Sequence, residues 1–180
     1  MEGKKIIIND VTLRDGMHAM SHQYEIEDMV EIAKALDEAG VDIIEVSHGD
    51  GLAGNAINYG FSKYPETEYI SAVAGVLKNA KLDVLLLPGI GTIEDLEVVI
   101  DLGVKVVRIA THCTEADIAI QHIEYSKGKG LDVVGFLMMA HIDTRIKSPS
   151  LTSIASVILP VRIILPAFTF SPRFERNFTS

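Results

Sequence analysis

The first 139 residues contain five short runs of apolar residues, separated by longer segments of mixed polarity. Each run is continuous and consists largely of Val, Ile and Leu, which is the pattern of a β-strand covered on both faces. The predicted strands are residues 6–8, 41–46, 82–87, 104–110 and 133–139.

Two of the intervening segments carry apolar residues at the spacing of a helix face. These faces consist of Ile26, Met29, Val30, Ala33 and Leu36, and of Leu96, Val99 and Ile100. Gly40 and Gly103 stand where the two helices are expected to end, because glycine favours the position after a helix. Residues 92–95 and 114–117 resemble capping boxes and predict helix starts.

Strands that alternate with helices through short links predict a parallel sheet. Five regular units favour an incomplete (β/α)₈ barrel, and an open doubly wound sheet is the alternative. A complete barrel takes about 250 residues, whereas this chain has 180. We therefore predict a partial (β/α)₈ TIM barrel of about five βα units over residues 1–141.

The composition changes after His141. All 14 glycines precede this point, whereas residues 142–180 hold four of the six prolines and four of the six phenylalanines. Five bases and two acids give this segment a net charge of +3, which leaves −12 on the preceding residues, since the whole chain carries −9. We expect an atypical tail, frameshifted or disordered, that does not continue the series.

The apolar stretch 154–170 within this tail is interrupted by Pro160, Arg162 and Pro166, which argues against a membrane span. With no sixth strand from the tail, the fifth strand would leave an exposed parallel edge. We expect such an edge to promote oligomers or aggregates.

The charge and the cysteine content limit the classes of partner and of function that fit this chain. A net charge of −9 argues against nucleic acid or an anionic membrane as a partner, because both call for clustered Lys and Arg. A single cysteine, Cys113, permits no disulfide within the chain. The apolar run near the amino terminus is too short for a signal peptide. We expect a cytoplasmic protein that binds a small organic molecule or another protein.

Polar or glycine-rich residues follow directly after each predicted strand. They are Arg14, Asp15 and His18 after the first strand, and residues 47–51, 88–91, 111–114 and 140–141 after the others. In a barrel the carboxyl ends of the strands meet at one rim, where catalytic groups collect. Arg14, Asp15 and His18 place a cation, a carboxylate and an imidazole within five residues, a set suited to metal-assisted carbonyl chemistry.

The other polar candidates have ordinary structural interpretations. A histidine at a strand end is more often a hydrogen-bonded structural residue than a ligand, and this applies to His48, His112 and His141. His22 and His122 are weaker candidates, because both lie near or on helices and are expected to face solvent or a neighbour. Aspartate stabilises turns, which would explain Asp10 and Asp50. Cys113 is expected to be a small buried apolar residue.

At these residues the sequence resembles the 4-hydroxy-2-oxovalerate aldolases, members of the pyruvate-producing metallolyase TIM barrels. The motif Asp-x-Thr-Leu-Arg-Asp-Gly at residues 10–16 is shared by the wider superfamily. Longer matches narrow the resemblance to the aldolase and extend it over residues 4–141. They lie at residues 44–52, 58–61, 85–91, 110–117, 121–125 and 134–139.

The resemblance implies a metal-dependent retro-aldol cleavage of 4-hydroxy-2-oxopentanoate, a 2-keto acid, to pyruvate and acetaldehyde. It implies His18 as the catalytic base, Arg14 as the catalytic group that stabilises the enolate, and Arg14 and Asp15 as substrate-binding residues. Asp15 would bind the divalent metal, usually Mn²⁺, together with a His-x-His pair on a later strand. An acylating acetaldehyde dehydrogenase would be the protein partner.

No His-x-His sequence occurs in this chain. The alternative is therefore an inactive truncated fragment that acts at most as a binding partner, because the second half of the metal site is missing.

Overall fold

The structure is a computed structural model that describes residues 6–139 and 162–164. The strands are β1 Asn9–Asp10, β2 Ile43–Glu45, β3 Lys81–Leu86, β4 Val106–His112, β5 Asp132–Met138 and β6 Arg162–Ile164. The α-helices are α1 Gly16–Ala19, α2 Ile26–Glu38, α3 Glu66–Ala74, α4 Ile93–Asp101 and α5 Ala119–Gly128, and a 3₁₀ helix spans Cys113–Ile118.

All six strands are parallel, and their order in the sheet is their order along the chain. A doubly wound sheet reverses its strand order at a switch point. The described strands show no such reversal, because each new strand is added on the same side of the sheet. This order confirms the predicted partial (β/α)₈ barrel.

The first predicted strand is wrong in position and in burial. β1 lies at Asn9–Asp10 rather than at residues 6–8, and Ile6 and Ile8 are 81% and 55% exposed. The strand is at the sheet edge and pairs with β2 alone among the described strands. Ile7 packs with a small cluster on one face of the sheet, whereas Ile6 and Ile8 are exposed.

The other four strands are confirmed with boundary shifts of one to two residues. The largest shifts are in β2, which is shorter at its start than predicted, and in β4, which begins and ends two residues later. Few residues of the predicted tail are described. Within it, β6 pairs in parallel with β5, although the sequence pattern did not indicate a strand there. Ala140, His141 and the rest of the tail lie outside the described residues.

One of the two helix-start predictions is confirmed. At the start of α4, Asp95 N donates to Thr92 Oγ1 over 3.2 Å and Thr92 N donates to Asp95 Oδ2 over 2.9 Å. The prediction at residues 114–117 is wrong, because a 3₁₀ helix occupies this segment and α5 begins at Ala119. An N-cap residue needs an extended backbone, and Thr114 lies within the 3₁₀ turn. Gly40 and Gly103 follow α2 and α4 with φ of +83° and +105°, as predicted.

The main core lies between one face of the sheet and the helices. Along β3 and β4, Val84, Leu86, Val107 and Ile109 alternate with residues of the opposite face and pack into this core with side chains of the helices. Burying these side chains supplies the main stabilising free energy. None of the described helices has the length and apolarity that a bilayer crossing requires.

Asp37, at the end of α2, fixes the approach to β3. Its carboxylate is buried and accepts hydrogen bonds from the backbone N–H groups of Lys78, Asn79 and Ala80. These bonds, that from Ala80 above all, lower the pKa of Asp37. The segment that leads into β3 is therefore held by one side chain.

Replacing Asp37 with Ala is expected to lower the free energy of unfolding by about 2 kcal/mol, because three partly buried backbone hydrogen bonds lose their acceptor. Urea unfolding of Asp37→Ala and of the wild type measures the difference. Asp101→Ala is the matched control, because Asp101 occupies the end of α4 and is exposed. Equal losses in the two variants would contradict this role of Asp37.

Candidate active site

A cavity of about 390 Å³ opens at the carboxyl ends of the strands. It is lined from every strand from β1 to β5 or the loop that follows it, by Val11, Arg14, Asp15, His18, Gly49, Asp50, Leu85, Leu87, Arg108, Ala110, Phe136 and Met138. This volume falls in the range of small-molecule sites, about 300–1,000 Å³. Residues distant in sequence thus share one site, as expected for a barrel rim.

In the loop after β1, some side chains pack in the core and others line the cavity. Asp10 Oδ1 accepts a hydrogen bond from Thr12 N over 2.9 Å, which forms the turn predicted for this aspartate. Leu13 and Met17 are fully buried in the core. Positions four apart lie on one side of a helical turn, so Arg14 and His18 together face the cavity.

Arg14 is held by a buried carboxylate. Its Nε donates to Glu45 Oε1 over 2.6 Å, and its Nη1 donates to Asp15 Oδ1 over 2.8 Å and to the Gly49 carbonyl oxygen over 3.2 Å. Its Nη2 has no hydrogen-bond partner among the described residues. The guanidinium group is therefore fixed in orientation and keeps N–H donors for a ligand.

Glu45 joins Arg14 to a second arginine. Arg108 Nη2 donates to Glu45 Oε1 over 2.8 Å, and Arg108 Nε lies 2.7 Å from Glu45 Oε2. The Glu45 side chain has no exposed surface, and both arginines are at least nine-tenths buried. Two buried cations thus share one buried anion, and the exposed Asp15 carboxylate is a second partner of Arg14.

Asp83 lies beside Glu45 on the neighbouring strand, in register with it. Burial raises the pKa of Asp83 well above its usual range, and the charge of Glu45 raises it further. Asn9 Nδ2 donates to Asp83 Oδ2 over 2.7 Å. Of these two carboxyl groups, Asp83 is the one that burial pushes toward its neutral form.

Sequence reasoning missed Glu45, Asp83 and Arg108 as parts of the site. Each is a charged residue within a largely apolar strand. A charge at such a position is rarely buried without a partner. That signal was present in the sequence, and a search for charged residues inside predicted strands would have included all three.

Three histidines and an aspartate gather at one side of the cavity. The His22 ring stacks on the His48 ring with a centroid separation of 4.0 Å, and His18 meets His22 edge to face at 5.2 Å. Asp50 N donates to His48 Nδ1 over 3.1 Å. Burial lowers the pKa of His22 and of His48, and the adjacent imidazole lowers each further. Both buried rings therefore favour the neutral form.

His22 is buried beside the cavity and stacks on His48, so of the two expectations for this residue it faces a neighbour rather than solvent. Ser21 and His22 adopt φ of 50° and 60°, and His22 N donates to the Met17 carbonyl oxygen over 2.7 Å. This left-handed turn after α1 brings the ring back over the site. Positive φ at two consecutive non-glycine residues has no sequence signal here.

The remaining candidates lie away from the cavity lining. His112 is exposed at the end of β4, and Cys113 is buried, as predicted, with its Sγ 3.3 Å from the Met139 carbonyl oxygen. His122 is buried on α5, with Nδ1 3.4 Å from the Ile118 carbonyl oxygen. The structure thus groups His18, His22, His48 and Asp50, and leaves His112 and His122 apart.

Glu66, the first residue of α3, anchors the loop after β2. Its carboxylate accepts hydrogen bonds from His48 N over 3.0 Å and from Ala53 N over 3.1 Å. Burial raises the pKa of Glu66 to about 7, although these two bonds act in the opposite direction. The folded protein therefore binds a proton at Glu66 at pH values where the unfolded chain has lost it.

A raised carboxyl pKa stabilises the folded state below pH 4.5, and this contribution is lost as the pH rises through about 7. Relative to Glu66→Gln, the wild type is expected to lose up to about 3 kcal/mol of unfolding free energy over this window. Urea unfolding at pH 4.5, 6 and 7.5 measures the difference. Glu68→Gln, an exposed change on the same helix, is the control. A pH-independent difference for Glu66→Gln would contradict the assignment.

Asp15 is the metal ligand that the family resemblance implies. Its side chain is 63% exposed and lines the cavity, and one of its oxygens is engaged by Arg14. One carboxylate is too few for a hard divalent cation, which takes several oxygen ligands. The described residues thus supply one ligand of the implied site and do not complete it.

Comparison with curated proteins finds similar sequences over the first four-fifths of the chain. The chain is 62% identical over 139 residues to a 4-hydroxy-2-oxovalerate aldolase of Carboxydothermus hydrogenoformans, which covers 77% of this chain and 41% of that protein. It is 56% identical over 142 residues to 4-hydroxy-2-oxovalerate aldolase 4 of Paraburkholderia xenovorans, covering 79% and 41%. The chain thus spans about two-fifths of the length of these relatives.

Solved structures share the fold at low sequence identity. The N-terminal domain of a candidate aldolase from Bacteroides vulgatus superposes with a TM-score of 0.68 at 22% identity, covering 87% of this chain and 52% of that chain. The carboxyl transferase domain of Rhizobium etli pyruvate carboxylase, solved with pyruvate and biocytin, gives 0.62 at 11% identity, covering 88% and 29%.

The family model described as HMGL-like matches residues 5–157, most of the chain. This match agrees with the parallel barrel order of the strands and with the similarity to the aldolases. The chain belongs to the HMGL-like family.

Proposed function

We propose that this chain carries the Arg14, Asp15 and His18 part of the active site of an aldolase. The reaction is the retro-aldol cleavage of 4-hydroxy-2-oxopentanoate to pyruvate and acetaldehyde. The observation that carries the proposal is that Arg14 and His18 line one cavity of small-molecule size at the strand ends. The aldolase names of the similar proteins support the choice of substrate.

His18 is the proposed general base. Its side chain is exposed to the cavity, and an imidazole can accept and return a proton near neutral pH. His18 takes the proton of the 4-hydroxyl group, the C4–O bond becomes the aldehyde carbonyl, and the C3–C4 bond breaks. The electrons of the C3–C4 bond form the C2–C3 double bond of the pyruvate enolate, and the negative charge moves to the C2 oxygen. The enolate then gains a proton at C3, which the protonated His18 can return.

Arg14 is the proposed stabiliser of the enolate and a substrate-binding residue. Its two bonds to Glu45 and Gly49 fix the guanidinium group before substrate arrives. A donor that is already oriented stabilises developing negative charge without reorganisation in the transition state. Arg108, on the cavity wall, adds positive charge on the same side.

Asp15 remains the proposed ligand of the divalent metal, which is Mn²⁺ by family resemblance. It also lines the cavity and is a proposed substrate-binding residue. Further ligands of that cation would come from outside the described residues. The steps above use side chains of this chain alone. The acylating acetaldehyde dehydrogenase that the resemblance implies would take up the released acetaldehyde.

Pyruvate release from 4-hydroxy-2-oxopentanoate by the purified chain tests the proposal. We expect release with Mn²⁺ and its loss after chelation. The protein is first shown to be folded by circular dichroism. A folded protein with no metal-dependent release would contradict the proposal and would favour a chain that acts at most as a binding partner.

A further inference from the structure

We propose that His18, His22 and Asp50 form a binding site for a transition-metal cation of the Zn²⁺ class, distinct from the Asp15 carboxylate. One ligand atom from each of these three residues lies within 4.8 Å of the others. Two imidazole nitrogens and one carboxylate oxygen are a donor set that suits zinc, with a fourth position left open. The family resemblance assigns none of the three residues to a metal.

The His22 ring provides a buried nitrogen that faces this group of side chains. It is 6% exposed, and its Nδ1 is buried with no hydrogen-bond partner among the described residues. The ring also makes a hydrogen bond with the backbone of Tyr59, a bond that raises its pKa against the effect of burial.

In a neutral imidazole one ring nitrogen donates and the other carries a lone pair. With the lone pair on Nδ1, His22 can bind a cation while Nε2–H is available to a neighbouring backbone carbonyl. Histidine ligands in metal sites are commonly held in this way. A buried lone pair without a partner is costly, and a bound cation removes that cost.

Glycine at position 49 leaves the space where the two rings meet. A Cβ atom at Gly49 would lie 2.7 Å from His22 Cε1 and 2.8 Å from His18 Nε2. With both rings in these positions, a side chain at residue 49 would overlap them. The ring edges of His18 and His22 therefore converge over this glycine backbone.

A small adjustment closes the site. In tetrahedral zinc sites with bonds of about 2.0–2.1 Å, ligand atoms lie about 3.4 Å apart. His22 is buried and stacked on His48, so it is the fixed ligand. His18 is exposed and the Asp50 side chain is 27% exposed, so these two can rotate toward it.

Occupation of this site would engage an imidazole nitrogen of His18. The expected consequence, which rests on the proposed function, is inhibition of pyruvate release by Zn²⁺, because the base is no longer free to accept a proton. The binding itself does not depend on that function.

Titration of the untagged, metal-stripped chain with Co²⁺ tests the site through the visible absorption of the bound ion, and Zn²⁺ displaces it. We expect one equivalent to bind, with affinity at least tenfold weaker in His22→Gln and in Asp50→Asn. The Asp50 change preserves shape and guards against a folding failure. His112→Gln and Asp15→Asn are expected to bind as the wild type does.

Absence of binding, equal affinity in all variants, or a loss in Asp15→Asn alone would overturn the proposal. Pyruvate release is measured on the same samples. Binding as expected in a protein without any release would count against the proposed function and leave the metal site in place. Pyruvate release without Co²⁺ or Zn²⁺ binding would overturn the metal site and leave the proposed function in place.

Discussion

Replacing His18 with Gln is expected to lower kcat for pyruvate release about a hundredfold or more, as loss of a general base typically does. Glutamine keeps a similar size and hydrogen-bonding capacity but cannot accept a proton at neutral pH. His18 is exposed, so the stability of the variant should be close to that of the wild type. Steady-state kinetics with Mn²⁺ and thermal unfolding measure the two effects.

The effects of His18→Gln on kcat and on KM distinguish a role in proton transfer from a role in substrate binding. Loss of a group that acts in the transition state lowers kcat and kcat/KM equally, whereas loss of substrate binding raises KM. His112→Gln is the matched control, since His112 is an exposed histidine at the end of β4 and away from the cavity lining. Unchanged kcat in His18→Gln would remove this residue from the proton transfer.

The sheet and the Arg14, Asp15 and His18 group could be predicted because both depend on short-range patterns. Apolar runs with regular spacing specify strands and helices, and strand order follows from the short connections. The three polar residues adjoin one strand end, so their proximity follows from chain position alone. The structure places all three on the same cavity.

The first strand shows where the apolar pattern misleads. The run at residues 6–8 has the composition of a strand buried on both faces, but Ile6 and Ile8 are exposed. Burial depends on what covers each face, and that information is not local to the run. The paired segment lies instead at Asn9–Asp10, where β2 provides the partner.

The charges beneath the cavity could not be assembled from local patterns. Glu45 contacts Arg14, 31 positions earlier, and Arg108, 63 positions later. The turn that brings His22 over His48 depends on left-handed backbone angles at Ser21 and His22. Such contacts follow from the register of neighbouring strands and from the geometry of one loop. Neither is specified by residue type at a given spacing.

Replacing Glu45 with Gln is expected to lower the free energy of unfolding by about 3 kcal/mol or more, because removing one partner from a buried ion pair leaves uncompensated charge. Glu45 is the carboxylate that both Arg14 and Arg108 contact. Glutamine has the same shape, so the change removes the negative charge with little effect on packing. Urea unfolding at pH 7 measures the loss.

Activity is expected to fall with stability in this variant. Glu45 holds Nε of Arg14, so its loss frees the guanidinium group to move within the cavity. A misplaced donor stabilises the enolate poorly. We expect kcat to fall even at temperatures where the variant is fully folded, which separates the positioning effect from unfolding.

Asp83→Asn is the matched control, because Asp83 is the neighbouring buried carboxyl group in register with Glu45. Burial and the charge of Glu45 raise the pKa of Asp83, so asparagine replaces a group that favours its neutral form. Its unfolding free energy should therefore match that of the wild type at low pH and should not fall below it at pH 7. A raised carboxyl pKa stabilises the fold at low pH and loses this effect as the pH rises, so the variant should also show a weaker decline with pH. Equal losses in Glu45→Gln and Asp83→Asn would mean that the two arginines are neutralised by both carboxylates, contrary to the division of roles argued here.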